Sequence, residues 1–336
     1  MTIKDIAEIS GYGLGTVSRV INNKSGVSDK AREEILRVIK ESNYEPNSNA
    51  RLLKMRDGSV IGVIVKGNHN FLFADIIEKV QSAFSDVKEN VITEYIDEDG
   101  DEVEHALRMI RDKNLKGILF LGANIGFFDE RMNQVDIPCV ILTTNAQSLK
   151  VGKISSVSVN DEEAACEMIS YLINKGHVNI GVIGGTLSEN QISFSRYKGC
   201  EKGFRENQIP FRPKTNYVPC RYSMDAGYEA TKVLLDKNPN ITAIFALSDI
   251  MAFGAIRAVN DMEIRVPEDI SIAGFDGISI SEYCIPRLTT IRQDTATIAS
   301  RGVNLLLKNI HYECESEHYR APFSLIEAES VIDLNR

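Results

Sequence analysis

Residues 2–22 read TIKDIAEISGYGLGTVSRVIN, and this stretch decides the fold of the first part of the chain. Apolar residues at helical spacing predict a first helix that ends at Gly11, and a second helix over residues 14–21. Ser28 is placed to cap a third helix. The predicted buried residues are Ile3, Ile6, Ala7 and Ile9 in the first helix, Val17, Val20 and Ile21 in the second, and Ala31, Ile35, Leu36 and Ile39 in the third.

The outward face of the second helix has groups that suit DNA. Two helices joined by a tight turn form the arrangement that lays its second helix in a major groove. The hydroxyls of Thr16 and Ser18 suit phosphate oxygens, and Arg19 suits the N7 and O6 edge of guanine. The sequence therefore predicts a DNA-reading head. Its predicted contacts in this helix are Leu14, Gly15, Thr16, Ser18, Arg19 and Asn22.

Gly11, Gly13 and Gly15 also suggest a dinucleotide-binding loop. That loop has the spacing Gly-x-Gly-x-x-Gly and must follow a strand that opens a βαβ unit. Here the spacing is Gly-x-Gly-x-Gly, and a helical pattern precedes it. The context therefore argues against a nucleotide site.

Two separated motifs give the chain a specific resemblance. The pattern T-I-x-D-[VI]-A … T-V-S-R-V-[IL]-N matches residues 2–22, and Y-x-P-N-x-x-A-R-x-L matches residues 44–53, YEPNSNARLL. The chain thus resembles the lac/gal repressor (LacI/GalR) family of transcription regulators, from residue 2 to about residue 330. Its turn departs from the family's Gly-Val-Ser, because Gly13 replaces the serine cap with a weaker one. The family's two variable base-reading positions fall on Leu14 and Gly15, neither of which offers a side-chain hydrogen bond to a base.

The second motif marks a hinge. The resemblance implies that the segment after Pro46 folds as a short helix on the operator and pairs there with the hinge of a second subunit. Leu53 matches the family's wedge residue, which enters the minor groove and kinks the duplex. The alternative is that Leu52 and Leu53 pack on the body. The implied DNA contacts of the hinge are Asn47, Ala50, Arg51, Leu53 and Lys54.

Charge separates the head from the rest of the chain. The whole chain has a net charge of −9, with 38 Lys and Arg against 47 Asp and Glu. Residues 1–56, which cover the head and nearly all of the hinge, hold ten basic and seven acidic residues, a net charge of +3, and the remainder carries −12. Binding to nucleic acid requires a local positive charge and does not require a basic chain.

The body, residues 58–336, has the pattern of two doubly wound parallel α/β sheets. Short apolar runs, such as residues 60–65 and 180–184, alternate with helical stretches, such as residues 73–84 and 162–174. The string IGVI opens each half, at 61–64 and 180–183. We therefore expect a two-lobed, periplasmic-binding-protein-like body after a helix-turn-helix head (1–45) and a hinge (46–57). The expected lobes are an N-lobe of about 58–158 and 291–322, and a C-lobe of about 159–290 and 323–336, with three crossings near 157–160, 289–293 and 321–325.

A cleft between two such lobes suits a small ligand. Carrying over the family's positions implies six ligand contacts: Phe71, Phe73, Arg196, Tyr222, Asp249 and Asp276. Arg and Asp side chains bind hydroxyl groups through charge-assisted hydrogen bonds, and aromatic faces cover the apolar side of a sugar ring. The alternatives are that Arg196 and Asp276 form an interdomain ion pair and that Phe73 belongs to the core.

Several other features exclude competing functions. The acidic run at 97–102 lacks the glycine and glutamate spacing of a calcium loop, and the six cysteines and five histidines have no metal-ligand spacing. Neither G-x-S-x-G nor a P-loop motif occurs, so a hydrolase or kinase is not expected. The start of the chain has no signal-peptide pattern and no apolar run is long enough to cross a membrane, which argues against a periplasmic binding protein.

These observations predict a cytoplasmic transcriptional regulator, a repressor by expectation, with no enzyme activity and no cofactor or metal. Its partners are expected to be operator DNA, a second copy of the chain and a small effector. A sugar is the commonest effector in the family, and a nucleobase remains an alternative.

Overall fold

The computed structural model describes residues 3–21, 27–42, 60–67, 70–312 and 314–335. Contacts divide the chain into two compact units, Met1–Ser59 and Val60–Arg336. Each unit is described by itself. No helix among the described residues is long and apolar enough to cross a membrane.

The first unit contains the three predicted helices. They are α1 (Ile3–Ser10), α2 (Leu14–Ile21) and α3 (Asp29–Glu41). Gly11, with a φ of +72°, follows α1 and allows the sharp turn into α2. The Ser28 hydroxyl accepts a hydrogen bond from the amide of Ala31, which confirms the predicted cap of α3. The buried side chains of this small core are Ile6, Val17, Val20, Ile35 and Val38.

Two predictions about the head's core are wrong. Ile9 is 58% exposed and Leu36 is 49% exposed, although both were expected to be buried. Val38 is buried instead, because only a narrow stripe of α3 faces the other two helices. The core of so small a domain covers less of each helix than the apolar pattern suggests.

The structure describes part of the expected DNA interface. Gly15 and Arg19 are exposed on α2, and Thr16 is half-buried beside them. Leu14 and Ser18 belong to the same helix. Six expected contacts lie outside the described residues: Asn22, Asn47, Ala50, Arg51, Leu53 and Lys54.

The second unit alternates strands and helices, as predicted. Its strands are β1 (Val60–Lys66), β2 (Val91–Ile96), β3 (Leu115–Leu121), β4 (Cys139–Leu142), β5 (Ile154–Ser158), β6 (Ile180–Gly184), β7 (Tyr217–Pro219), β8 (Ala243–Ala246), β9 (Ser271–Asp276), β10 (Thr289–Gln293), β11 (His318–Arg320) and β12 (Phe323–Ile326). Its helices are α4 (Phe71–Asp86), α5 (Glu102–Asp112), α6 (Asp161–Asn174), α7 (Ile192–Glu206), α8 (Pro213–Asn216), α9 (Met224–Lys237), α10 (Asp249–Asp261) and α11 (Thr295–His311).

The strands form two sheets, each with six strands among the described residues. The first has the order β11-β5-β4-β3-β1-β2, and the second has the order β12-β10-β9-β8-β6-β7. All neighbouring strands are parallel except β10 and β12. Each sheet with its helices is called a lobe below. The expectation of two doubly wound parallel sheets is confirmed.

The chain passes between the lobes three times. The passages fall between β5 and α6, between β10 and α11, and between β11 and β12. We call them the first, second and third crossings. One expected boundary needs correction: residues 291–293 were assigned to the N-lobe, yet β10 pairs with β9 and β12 through Gln293. The second crossing therefore begins at Asp294, because ladder pairing continues to the last residue of β10.

Candidate functional site

A cleft of about 510 Å³ lies between the two lobes. Its walls follow the carboxyl ends of the parallel strands, including Lys66 at the end of β1, Gly122 after β3, Thr143 after β4, Gly185 after β6 and Asp276 at the end of β9. The starts of α4 and α7 also face it. In open α/β sheets, ligands bind at this edge, and the volume is in the range that small-molecule sites occupy.

Arg196 and Asp276 meet in this cleft, in one buried charge network. The Arg196 Nε donates to Asp161 Oδ1 at 2.9 Å, and a second guanidinium nitrogen lies 3.3 Å from Asp276 Oδ1. The guanidinium also donates to the Leu247 carbonyl at 2.5 Å and stacks 3.7 Å from the Phe275 ring centroid. Burial lowers the pKa of Arg196, but the two carboxylates outweigh it and raise that pKa, so the side chain is always charged.

The ion pair does not join the two lobes. Arg196 belongs to α7 and Asp276 to β9, and both elements lie in the second lobe. The alternative of an interdomain ion pair is therefore wrong. Both side chains line the cleft as well as binding each other, so pairing and ligand contact are compatible here.

Glycines bring α7 close enough to α6 for this network to form. A Cβ atom at Gly199 would lie 2.2 Å from the Glu162 carbonyl oxygen, and one at Gly203 would lie 2.8 Å from the Ile169 Cβ. Such distances require the absence of a side chain. The close packing places Arg196 opposite Asp161, the first residue of α6.

The backbone at Asp276 has an unusual conformation. Its φ is +115°, which side-chain-bearing residues rarely adopt. Its carboxylate accepts hydrogen bonds from the Ser248 hydroxyl at 2.7 Å and the Gln293 amide at 2.9 Å, and both donors are buried. Burial raises the pKa of Asp276, while Arg196 and these donors act in the opposite direction. Strained residues of this kind cluster at ligand sites, where the surrounding contacts hold them in place.

Tyr222 and Phe73 supply two aromatic rings to the cleft wall. The Tyr222 hydroxyl lies 2.6 Å from the Ser193 Oγ, and burial raises its pKa to about 12, so the phenol stays protonated. Phe73 lies beside Gly122, where a Cβ would be 2.4 Å from the ring. Gly122 has a φ of +77°, a conformation that glycine adopts without strain. Its lack of a side chain leaves the space that the Phe73 ring occupies. The Asn70 side chain caps α4 by accepting from the amides of Leu72 and Phe73.

A second buried ion pair lies on the first lobe's wall. The Lys66 ammonium donates to Glu102 Oε1 at 2.7 Å and to the Gly100 carbonyl at 3.0 Å. It also lies 4.6 Å from the Phe127 ring centroid. Burial raises the pKa of Glu102, while Lys66 and the Asn124 amide lower it. Lys66 is also one of the residues that line the cleft.

At the rim, Arg221 of the second lobe contacts the acidic loop of the first. Its guanidinium donates to Asp99 and lies 3.8 Å from Asp97 Oδ1 and 3.9 Å from Glu98 Oε2. Burial and the neighbouring carboxylates raise the pKa of Glu98, while Arg221 lowers it. The run that resembled a calcium loop thus binds an arginine across the rim. No cluster of His, Cys, Asp and Glu able to hold a metal occurs in the described part of the chain.

Two expected ligand contacts lie away from the described wall of the cleft. Phe71, the first residue of α4, is 45% exposed and does not line the cleft, because α4 turns its first residue outward. Asp249 is fully buried and accepts hydrogen bonds from the Ile278 amide, the Ser281 hydroxyl and the Thr290 hydroxyl. Its oxygens are therefore occupied within the second lobe. These two positions are corrections to the expected site.

The sequence reasoning missed several lining residues. Lys66, Asn124, Gln191 and Arg221 all line the cleft. Lys66 ends an apolar strand run, so the rule that ligands bind at strand carboxyl ends would have identified it. Arg221 follows a strand of three residues that has no clear sequence pattern. Its role depends on the acidic loop, which is more than a hundred residues away in the chain.

Comparison with known families gives two matches. Residues 2–47 match the description "bacterial regulatory proteins, lacI family", and residues 169–331 match the description "periplasmic binding protein-like domain".

Known relatives cover almost the whole chain. The chain is 36% identical to the transcriptional regulator MalR of Clostridium butyricum, over 99% of this chain and all of the relative. It is 31% identical to catabolite control protein A of Priestia megaterium, over 93% of each.

Solved structures agree over similar lengths. The lac repressor dimer bound to operator and the anti-inducer ONPF is 26% identical, with a TM-score of 0.78 over 99% of each chain. The complex of the transcriptional regulator CelR with cellobiose is 25% identical, with a TM-score of 0.72 over 98% of this chain and 99% of that one.

Proposed function

This chain belongs to the lacI family of bacterial regulatory proteins and is a DNA-binding transcriptional regulator, and we propose that a sugar bound in its interlobe cleft controls its affinity for an operator. One observation supports this proposal above all. Phe73, Arg196, Tyr222 and Asp276, four residues far apart in the sequence, meet at the strand ends that surround one cleft. Charged donors and acceptors beside aromatic rings suit a polyhydroxyl ligand.

We further propose that the chain acts as a homodimer and represses its genes. In the similar structures, a lac repressor dimer is bound to operator and CelR is in complex with cellobiose. Two copies would place two α2 helices in successive major grooves of a near-palindromic site. The sugar shifts DNA affinity only by its differential affinity for the two arrangements of the lobes. The site of action is the cytoplasm, where the operator DNA is, and the protein catalyses no reaction.

The proposed DNA contacts are those of α2 and the hinge, with Arg19 as the main base reader and Leu53 as the wedge. Arg19→Ala should weaken binding to a DNA fragment from upstream of the protein's own gene by about tenfold or more, since a bidentate contact to guanine contributes about 1–3 kcal/mol. Lys30→Ala is the matched control, because it removes one exposed charge from another helix of the head. Fluorescence anisotropy measures both. Equal losses would mean that Arg19 contributes charge alone.

The hinge assignment has its own test. Leu53→Ala should weaken operator binding and leave sugar binding unchanged, since the wedge acts only on DNA. A loss of both activities would instead place Leu53 in the body's core.

The sugar site is tested by thermal unfolding with a panel of neutral mono- and disaccharides. A bound ligand raises the unfolding temperature by mass action. Tyr222→Leu should abolish the shift given by the wild-type ligand, whereas Tyr283→Leu, at a tyrosine that is 82% exposed, should preserve it. A panel without any response, or a shift that survives Tyr222→Leu, contradicts the proposed site.

A further inference from the structure

The cations of the cleft are already neutralised by the protein. Among the described lining residues, three are basic: Lys66, Arg196 and Arg221. Each has a carboxylate partner, namely Glu102 at 2.7 Å for Lys66, Asp161 at 2.9 Å for Arg196, and Asp99 for Arg221.

The acidic groups outnumber the basic ones. Glu98, Asp99 and Asp276 line the cleft themselves, and Asp97, Glu102 and Asp161 stand directly behind its three cations. Six carboxylates therefore face three cations in this part of the described structure. A phosphate group that bound Lys66 or Arg196 would have to displace a buried carboxylate from its partner, which costs several kcal/mol when a charge is left unpaired.

The remaining hydrogen-bond capacity suits hydroxyl groups. Lys66 has one ammonium donor beyond its contacts with Glu102 and Gly100. Asn124, Ser193 and Tyr222 add uncharged polar groups to the same wall. A hydroxyl both donates and accepts, so it fits beside paired charges without breaking them.

We propose that the cleft selects an effector without negative charge, a neutral saccharide, and rejects phosphorylated sugars and other anions. The proposal rests on the proposed function and specifies the ligand's charge class. In this site the protein's own carboxylates take the positions that a ligand phosphate would require. The selectivity against anions arises because Lys66 is paired with Glu102 and Arg196 with Asp161, and it does not depend on the number of basic residues.

The test compares anions with neutral ligands on the full chain. Calorimetry measures binding of inorganic phosphate, and of pairs made of a neutral sugar and its phosphate ester. We expect no binding of inorganic phosphate, and we expect each ester to bind at least about 100-fold more weakly than its parent sugar. An ester that binds more tightly than its parent, or phosphate binding that Lys66→Met abolishes, would overturn the proposal.

Glu102→Gln tests whether the carboxylate partner of Lys66 causes the exclusion of phosphate. It leaves Lys66 with an unpaired charge, so inorganic phosphate should bind measurably, at least about tenfold more tightly than the detection limit that the wild type fails to reach. Glu104→Gln makes the same change at an exposed position of α5 and should have no effect. If Glu102→Gln does not fold, the double variant Asp97→Asn with Asp99→Asn replaces it, since both side chains are exposed and both are within 4 Å of Arg221. No gain of phosphate binding in a folded variant contradicts the proposal.

The outcomes separate the two proposals. If neither a sugar nor inorganic phosphate binds, the proposal of a sugar effector is wrong, while the proposed exclusion of anions stands. If a phosphate ester binds in the cleft and releases the operator, effector control stands and the charge selectivity is wrong.

Discussion

The Gln293 side-chain amide donates a 2.9 Å hydrogen bond to Asp276 Oδ1, which links the cleft to the second crossing between the lobes. Gln293 is the last residue of β10. The same buried network reaches the first crossing, since Asp161, which binds Arg196, is the first residue after that crossing. Arg320, an exposed residue that precedes the third crossing, donates to the Val159 carbonyl in the first crossing at 2.9 Å. A ligand at Asp276 thus contacts a buried network that is tied to the first and second crossings.

Gln293→Glu tests the link between Asp276 and the second crossing. The substitution replaces a donor by a second carboxylate, so we expect the unfolding free energy to fall by about 2 kcal/mol or more at neutral pH. This loss of unfolding free energy should become smaller as the pH falls, because a protonated glutamic acid at position 293 can again donate a hydrogen bond to Asp276. Urea unfolding measures it, and the exposed substitution Gln147→Glu is the control. Equal stability of the two variants at neutral pH would show that the hydrogen bond contributes nothing.

Asp249 makes a pH-dependent contribution to stability. Burial, followed by the charge of Asp276, raises the pKa of Asp249 to about 7. The folded state therefore binds more protons than the unfolded state between about pH 4 and 7, and this group's stabilisation is lost as pH rises through 7.

The matched variant is Asp249→Asn. Its amide oxygen can accept from Ile278 and Ser281, and its NH2 group can donate to the Thr290 hydroxyl. Because asparagine does not ionise, the variant should gain stability relative to the wild type between pH 5 and pH 8. Urea unfolding at several pH values tests this, and a pH-independent difference would contradict the raised pKa.

Gly122→Ala should displace Phe73 from the cleft wall. The added Cβ would lie 2.4 Å from the ring, at a φ of +77°. Gly152→Ala is a matched control, since its φ is +65° but its nearest neighbours are 3.6 Å away. We expect a loss of about 1 kcal/mol for the control and at least about 2 kcal/mol for Gly122→Ala, in chemical unfolding. Sugar binding should weaken only in the latter. Identical losses would mean that Phe73 accommodates the methyl group.

Arg221→Glu should loosen the rim without destabilising the fold. Arg221 is exposed, and exposed ion pairs contribute less than about 1 kcal/mol. Reversing its charge places like charges across the cleft, so amides of residues 96–101 should exchange hydrogen faster. Arg212→Glu, also exposed, is the control. High salt should bring the wild type closer to the variant, because it screens exposed charges. Unchanged exchange rates would mean that the loop holds itself in place.

The sequence predicted the elements well where local patterns are strong. The apolar runs at β1 and β6 and the helical periodicity of α4 and α6 predicted two parallel sheets, because buried strands need continuous apolar residues. Matches to two separated motifs were enough to identify the family. Ile9 and Leu36 were assigned wrongly, since an apolar residue at helical spacing does not reveal how much surface its neighbours cover.

The composition of the cleft was only partly predictable. Residue type and motif position indicated Arg196 and Asp276, and they are in the cleft. The same reasoning placed Asp249 there, although three hydrogen bonds within the second lobe occupy its carboxylate. A motif specifies where a carboxylate stands in the chain, but not which donors surround it.

The amino-acid sequence alone therefore determined the class of the protein, with a reading head, a hinge motif and two α/β lobes. These properties depend on local periodicity and on short motifs. Only the tertiary structure decided that Asp161 and Glu102 neutralise the cleft's buried cations, that Arg221 meets the acidic loop across the rim, and that Gln293 holds Asp276. The physical reason is that each of these pairs joins residues far apart in the chain. Their distances arise only when strands and helices pack.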